Sequence, residues 1–314
     1  MRQLRRLIQR ASASPFFKQK FGSLTVQGIT DLEDFTGKIP PMELEELVEE
    51  KIRSGDPYSS RWCRRSAPPV SLQIEYNTGT ALYLALDRTD LREYAKALTH
   101  CWSFLGLGKG DRVAIFDYGT SPVSYLASSA FTPYLSQGAA DVLGCLPVCN
   151  DGVANMSQRA VEIVKFVHPR FLFLRNDCLH PFAVEVEREG LQLSKYVSAL
   201  VATENEAVLT KQEQDTYQRS LGVPIYRLLR IDVAMFFAME CPQCRLLHTW
   251  PDLYFVETVE PETRKPVSSG LRGALMITNR FAKMCPTIRY LSQVEGSLQA
   301  RGCPGGPKDL RIVA

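Results

Sequence analysis

The chain has 314 residues, 45% of them apolar and 23% charged, a balance that supports a full buried core and excludes intrinsic disorder. Its 37 basic and 34 acidic residues leave a formal charge of +3, too small for the basic footprint of a nucleic-acid binder. No uninterrupted apolar run reaches the roughly 18 residues needed to span a bilayer, and the most apolar region, 123–149, is broken by Pro133, Gln137, Gly138 and Asp141.

In chain order, residues 1–65 read as an N-terminal helical segment. Arg2, Arg5, Arg6, Arg10, Lys18 and Lys20 all precede the first acid, Asp31, while Leu4, Leu7 and Ile8 share one helical face. Two readings fit: an organelle transit peptide, or the reading taken here, a surface helix docked on the domain and ended near Pro15. Leu44, Leu47, Val48 and Ile52 recur at helical spacing, with Glu45, Glu46, Glu49 and Glu50 on the expected solvated face.

Residues 66–235 alternate strand and helix patterns, which predicts an α/β core built on a largely parallel sheet. A helix is expected over 90–105, capped by Thr89 and followed by the glycine-rich turn 106–110. Strands are expected over 82–86, 112–116 and 171–174, with a helix over 161–167. Residues 236–314 read as a β-rich subdomain with strands at 253–259 and 274–278. The turn 261–266 joins them, and Gly270 and Gly273 punctuate the connection.

Nine cysteines are scattered from Cys63 to Cys303. An odd, dispersed set is no disulfide framework and favours a reducing compartment, so a cytoplasmic location is expected. Cys241-x2-Cys244-x3-His248 places two thiols and an imidazole at a spacing that suits tetrahedral zinc. Ordinary buried thiols with a satisfied histidine are the other reading of the same residues.

The block opened by Glu240-Cys241-Pro242 continues through Leu247-His248-Thr249-Trp250-Pro251-Asp252, Glu260-Pro261-Glu262-Thr263 and Pro286-Thr287-Ile288-Arg289-Tyr290, and Gly222-Val223-Pro224-Ile225-Tyr226 precedes it. In this order the segments resemble the phenylacetate–CoA ligase branch of the adenylate-forming enzymes, over nearly the whole chain. The resemblance implies an α/β fold: a large N-terminal domain of mixed, mostly parallel sheets flanked by helices, plus a smaller β-rich subdomain. It implies ATP- and magnesium-dependent activation of a carboxylic acid as an acyl-adenylate, then transfer to coenzyme A. The family's small C-terminal domain is expected to be absent, because residues 310–314 fall near the family's interdomain hinge.

Carried over residue by residue, the resemblance puts Thr78, Gly79, Glu204, Asp232 and Arg289 near ATP. Thr78-Gly79 matches the phosphate loop, although Thr80 replaces its lysine and Glu75 adds a negative charge. Such a charge 4 Å from a phosphate charge costs roughly 4 kcal/mol at an effective dielectric near 20. Thr203-Glu204-Asn205 lies where relatives carry the loop near adenine, and Tyr118-Gly119 where they line the acyl pocket. Asp232 stands for the magnesium acid only with a one-residue slip, and Val294 replaces the ribose-binding acid, with Glu295 one position later. Ala274 replaces a further acid. No catalytic acid or base is assigned.

The family's structural zinc site is matched by Cys241, His248 and Cys303-Pro304, with Gly305 where a second cysteine would stand. Cys244 could supply the fourth ligand, making a Cys3His site. The expected partner is a small-molecule carboxylic acid, with no nucleic acid and no membrane. A homodimer or a separate C-terminal-domain chain is the macromolecular partner. Three functional readings stay open: a ligase, a non-catalytic remnant or binding protein that keeps the fold, and one half of a split ligase.

Overall fold

The computed structural model describes residues 1–63, 68–75, 81–150, 152–299, 303 and 310–313. The chain forms two compact units that interleave in sequence. One contains residues 1–94, 231–236 and 249–314, the other residues 95–230 and 237–248.

The first unit opens with helices α1 (Arg2–Ala11), α2 (Pro15–Phe21), α3 (Leu32–Lys38) and α4 (Leu44–Ser54). The basic stretch is a docked helix: Leu4, Leu7, Ile8 and Ala11 are buried, and Arg5 Nε and Arg10 Nη1 donate to the Ile29 and Ala282 carbonyls at 2.6 and 2.9 Å. Pro15 opens α2 rather than ending α1, because its fixed φ suits the first helical position and the Ser14 hydroxyl accepts from Phe17 N at 3.3 Å. In α4, Leu44 and Leu47 are buried, but Ile52 is 74% exposed. Glu50 is buried instead, its charge met by Arg53 one turn on, so the acidic run is not wholly solvated. Strands β1 (Val70–Glu75) and β2 (Ala81–Leu86) form an antiparallel pair. Thr78 and Gly79 lie outside the described residues.

Helix α5 (Arg88–Phe104) is capped by Asp87, not Thr89. The Asp87 carboxylate accepts from the backbone N–H of Thr89 at 2.7 Å and Asp90 at 2.9 Å, satisfying two first-turn donors and opposing the helix dipole. Asp90 is fully buried and accepts from Lys283 N and Met284 N at 2.8 and 3.1 Å. Burial, reinforced by the like charge of Asp87, pushes its pKa up to about 6. A carboxyl raised in the folded state contributes stability that is complete below its unfolded pKa and lost as pH rises through the folded one. Stability is therefore expected to fall by about 2–3 kcal/mol between pH 4 and pH 7 from this group. Urea unfolding of wild type and Asp90→Asn across that range checks it, since the asparagine variant should lack this component of the slope.

The second unit continues with β3 (Arg112–Phe116), α6 (Pro122–Tyr125), α7 (Ala139–Leu143), β4 (Leu146–Asn150), α8 (Ser157–Val167), β5 (Phe171–Arg175) and α9 (Asn176–Arg188). It closes with β6 (Ala199–Asn205), α10 (Lys211–Leu221), β7 (Ile225–Ile231), β8 (Phe236–Glu240) and β9 (Leu247–Thr249). The strand order is β9-β8-β7-β6-β5-β3-β4, parallel from β7 through β4, with β8 and β9 an antiparallel pair. One sheet face packs Leu172, Leu174, Leu200, Ala202 and Ile225 against Val161, Val164 and Phe182 of α8 and α9. Each such side chain contributes roughly 1.5–3 kcal/mol on burial. The opposite face carries Phe173, whose ring lies 5.6 Å from that of Trp102 on α5. Both faces are thus covered, which is why these strands read as near-continuous apolar runs.

The first unit resumes with β10 (Tyr254–Val259), β11 (Gly273–Asn279), β12 (Tyr290–Gln299) and β13 (Leu310–Val313), antiparallel in that order. The turn after β10 closes through Glu260 N to Lys265 O at 2.9 Å. Gly273 is required at the start of β11, since a Cβ there would sit 2.5 Å from the Val259 carbonyl oxygen. The fold is mixed α/β, a large mostly parallel sheet with flanking helices plus a β-rich part, as expected.

Candidate functional site

The Cys-x2-Cys-x3-His segment forms one compact loop of the second unit. Cys241 N donates to Leu246 O at 2.9 Å and Arg245 N to Cys241 O at 3.0 Å, with Arg245 in the left-handed region at φ 58°. The β8–β9 register then sets Met239 opposite His248, bringing the imidazole back toward the loop. Cys241 Sγ accepts from Gln243 N at 3.3 Å and Cys244 N at 3.5 Å. Cys244 Sγ lies 3.2 Å from His248 Nε2, and the donor atoms of Cys241, Cys244 and His248 lie within 4.8 Å of one another. His248 is fully buried, its ring 4.7 Å from that of Phe104. Two soft sulfurs and an imidazole at these separations fit zinc. Cys303, the remaining expected ligand, belongs to the other unit and is buried there.

Glu240, just before the loop, is fully buried. Its Oε2 accepts from Gln214 Nε2 at 2.7 Å, Arg227 N at 2.9 Å and Arg227 Nε at 3.1 Å, and Arg245 Nε approaches Oε1 at 2.9 Å. The carboxylate therefore anchors the cysteine loop to α10 and β7.

A second polar cluster occupies the carboxyl edge of the parallel strands, the edge that open α/β sheets use for ligands. Side chains alternate along a strand. Since Leu172, Leu174, Leu200, Ala202 and Phe116 face α8 and α9, Arg175, Thr203 and Asp117 fall on the opposite face, and Arg230 joins them by its register with Asn205. Arg230 Nη1 reaches Asp117 Oδ2 at 3.1 Å and also bonds Ser121, whose hydroxyl donates to the same carboxylate oxygen at 2.7 Å. All three residues are buried. Because β6 and β5 separate β7 from β3, this ion pair runs across their carboxyl ends. The Arg175 guanidinium lies 3.9 Å from the centre of the Tyr118 ring.

The expected ATP-contacting residues are distributed as follows. Glu204 sits near the end of β6, its Oε1 accepting from Asn205 N at 3.0 Å. Burial raises its pKa against the pull of Arg230. Asp232, in the other unit, opens a tight turn (Asp232–Ala234) and is buried. That turn is clamped by Thr287 Oγ1 on Val233 O, Asn279 Nδ2 on Ala234 O and Tyr254 Oη on Met235 O, each at 2.7 Å. Arg289, also in that unit, is only 3% exposed. Its Nε and Nη2 meet Glu257 at 3.1 and 3.0 Å, and its Nη1 donates to Ile39 O. Burial raises the Glu257 pKa while Arg289 pulls it down. Arg289 is thus bonded to both Glu257 and Ile39 within its unit.

Asp117, Ser121, Arg175 and Arg230 did not emerge from sequence reasoning. The available signal was a charge closing an apolar strand run, as in Phe116-Asp117, Leu174-Arg175 and Leu229-Arg230.

No family model matches the chain. A phenylacetate–coenzyme A ligase from Pseudomonas putida is 24% identical over 289 residues, covering 88% of this chain and 60% of that protein. One from Thermus thermophilus is 25% identical over 244 residues, covering 75% and 51%. The chain thus spans about half to three-fifths of the length of these relatives. Among solved structures, 2-hydroxyisobutyryl-CoA ligase in complex with 2-HIB-AMP and CoA matches with a TM-score of 0.83 at 19% identity, covering 99% of this chain and 71% of that one. ATP-bound MatB from Rhodopseudomonas palustris matches with a TM-score of 0.54 at 12% identity, covering 81% and 49%. The chain has the fold of the adenylate-forming enzymes, and its sequence is similar to their phenylacetate–CoA ligase branch.

Proposed function

We propose that this chain is the large domain of an ATP-dependent acid–thiol ligase that acts in the cytoplasm, activating a carboxylic acid as its adenylate for transfer to coenzyme A. The observation that carries the reading is similarity to two phenylacetate–CoA ligases across most of the chain. In this reading residues 66–235 form the nucleotide-handling core and 236–314 the β-rich subdomain, with 1–65 packed as a helical segment. ATP with magnesium would supply the adenylyl group that makes the acid's carbonyl electrophilic, and coenzyme A the accepting thiol. The Thr78-Gly79 backbone would cradle phosphate, Glu204 would border the adenine, and the Asp232 carboxylate would offer oxygen to magnesium. Arg289, the remaining ATP-contacting residue of the resemblance, would act from its place beside Glu257.

Cys241, His248 and Cys303, the ligands the resemblance implies, with Cys244 as the fourth, would hold one structural zinc. Four protein ligands leave no open position for catalysis. Elemental analysis of protein purified without chelator is expected to find about one equivalent of zinc, falling well below that in Cys241→Ser. Zinc-free wild-type protein would remove the assignment.

A non-catalytic, fold-retaining protein is the second reading. It is favoured by the commitment of Arg289 to Glu257 and by the Arg230–Asp117 bridge lying across the carboxyl ends of β5 and β6. Pyrophosphate exchange with a panel of aryl and acyl acids separates the two. The ligase reading expects exchange and an ATP-induced rise in Tm; absence of both leaves the second reading.

A further inference from the structure

At the carboxyl edge of the parallel strands, buried polar atoms lack hydrogen-bond partners on one sheet face. Arg175 Nε and Nη1 and Thr203 Oγ1 are buried without a partner, as is the neighbouring Asn176 Oδ1. Arg175 and Thr203 are register partners on adjacent parallel strands, so their side chains leave the sheet side by side. Thr203 is 0% exposed and the Arg175 side chain 12%. Leaving such groups unpaired costs free energy, so this edge is shaped for an acceptor that the protein itself does not provide.

The charges identify that acceptor. Arg230 is neutralised by Asp117 at 3.1 Å within the buried bridge. Arg175 Nη2 meets Asp177 at 2.6 Å, but the Asp177 side chain is 48% exposed, where water screens the pair. Arg175 also occupies the N-cap position of the 13-residue helix α9 without a side-chain capping bond, and the helix dipole adds positive potential there. The Tyr118 ring under the guanidinium holds it in place. The Glu204 carboxylate also feels the Arg175 charge, yet the guanidinium keeps two nitrogens without an acceptor beside an unbonded hydroxyl, and such a pair suits a carboxylate. An aromatic ring placed there would leave both groups unpaired.

We propose that Arg175 and Thr203 form a subsite for a second carboxylate, so that the acid this chain binds is a small dicarboxylic acid rather than a plain aryl acid such as phenylacetate. The role of the acid as the group to be activated rests on the ligase reading; its binding rests on the geometry of this edge alone. Arg175 is a specificity-determining residue in this scheme. It holds the carboxylate that is not activated, and a site built to pair with a polar group rejects analogues that lack it.

Isothermal titration of the whole wild-type chain with malonate, succinate and glutarate, against propionate, butyrate, valerate and phenylacetate, tests the inference. At least one dicarboxylate is expected to bind tenfold or more tighter than its monocarboxylate counterpart. Arg175→Met should abolish that preference and Thr203→Val should reduce it, while Arg175→Lys should restore part of it. Equal affinity for mono- and dicarboxylates, no binding of any acid, or a preference that survives in folded Arg175→Met would each overturn the proposal. The wild-type comparison decides the matter if Arg175→Met fails to fold. Binding is read without ATP, so an Arg175-dependent dicarboxylate preference with no pyrophosphate exchange would retain this subsite and remove the ligase reading. Exchange with phenylacetate but no dicarboxylate preference would do the reverse.

Discussion

Replacing Glu240 with alanine is expected to destabilise the protein by about 3–5 kcal/mol, the cost typical of breaking one side of a buried ion pair. Whole domains have only about 5–15 kcal/mol of stability, so the variant should unfold at a much lower urea concentration. The reason is the number of groups that converge on one fully buried carboxylate: Gln214 Nε2, Arg227 through both backbone and side chain, and Arg245. Removing it leaves Arg227, itself buried, as an uncompensated charge. Glu240→Gln keeps the shape and one acceptor oxygen, so its loss should be smaller than that of alanine. The effect should extend to the metal loop, because Glu240 fixes the residue before Cys241. Glu240→Ala is therefore also expected to retain less zinc than wild type by elemental analysis. A change in urea midpoint corresponding to less than about 1 kcal/mol, the scale of an exposed pair, would show that the network is not built as described.

Arg289→Ala is the second large effect, again expected to cost about 3–5 kcal/mol. The loss would come from Glu257, buried and left facing nothing after its bidentate partner is removed, and from the Ile39 carbonyl that Arg289 also serves. A buried pair can often be exchanged for apolar side chains of similar volume at little cost. The double variant Glu257→Met/Arg289→Met should accordingly recover most of the stability lost in Arg289→Ala. If Arg289 served mainly as an ATP contact, the single variant would keep near-wild-type urea unfolding and lose only the ATP-induced Tm rise. The two outcomes separate a brace from a ligand contact.

Much of the architecture was legible in the chain because its signals are local. The runs 112–116 and 171–174 announced buried strands, and they became β3 and β5, covered on both faces. The α5 cap was misread as Thr89 because the two-residue reach of the Asp87 carboxylate onto Thr89 N and Asp90 N depends on the backbone turn. At α4, the helical period correctly found Leu44 and Leu47, yet it could not show that Arg53 would let Glu50 be buried while Ile52 faced solvent.

The candidate site divides along the same line. The Cys241–His248 spacing made a candidate metal loop readable because all three donors lie within one short segment, closed by a two-strand register. The Arg230–Asp117–Ser121 bridge joins residues more than 100 positions apart, and nothing in either local segment names the other. The commitment of Arg289 to Glu257 and Ile39 is likewise invisible in a motif.

The sequence by itself indicated the fold class, several strands and helices, and the Cys241–His248 segment as a candidate metal loop, because periodicity, capping and short ligand spacing act within a few residues. Only the tertiary structure decided which charges are spent on the frame and which remain open to a ligand. Strand register and sheet order set those pairings, and they bring distant residues together on one face at the carboxyl edge.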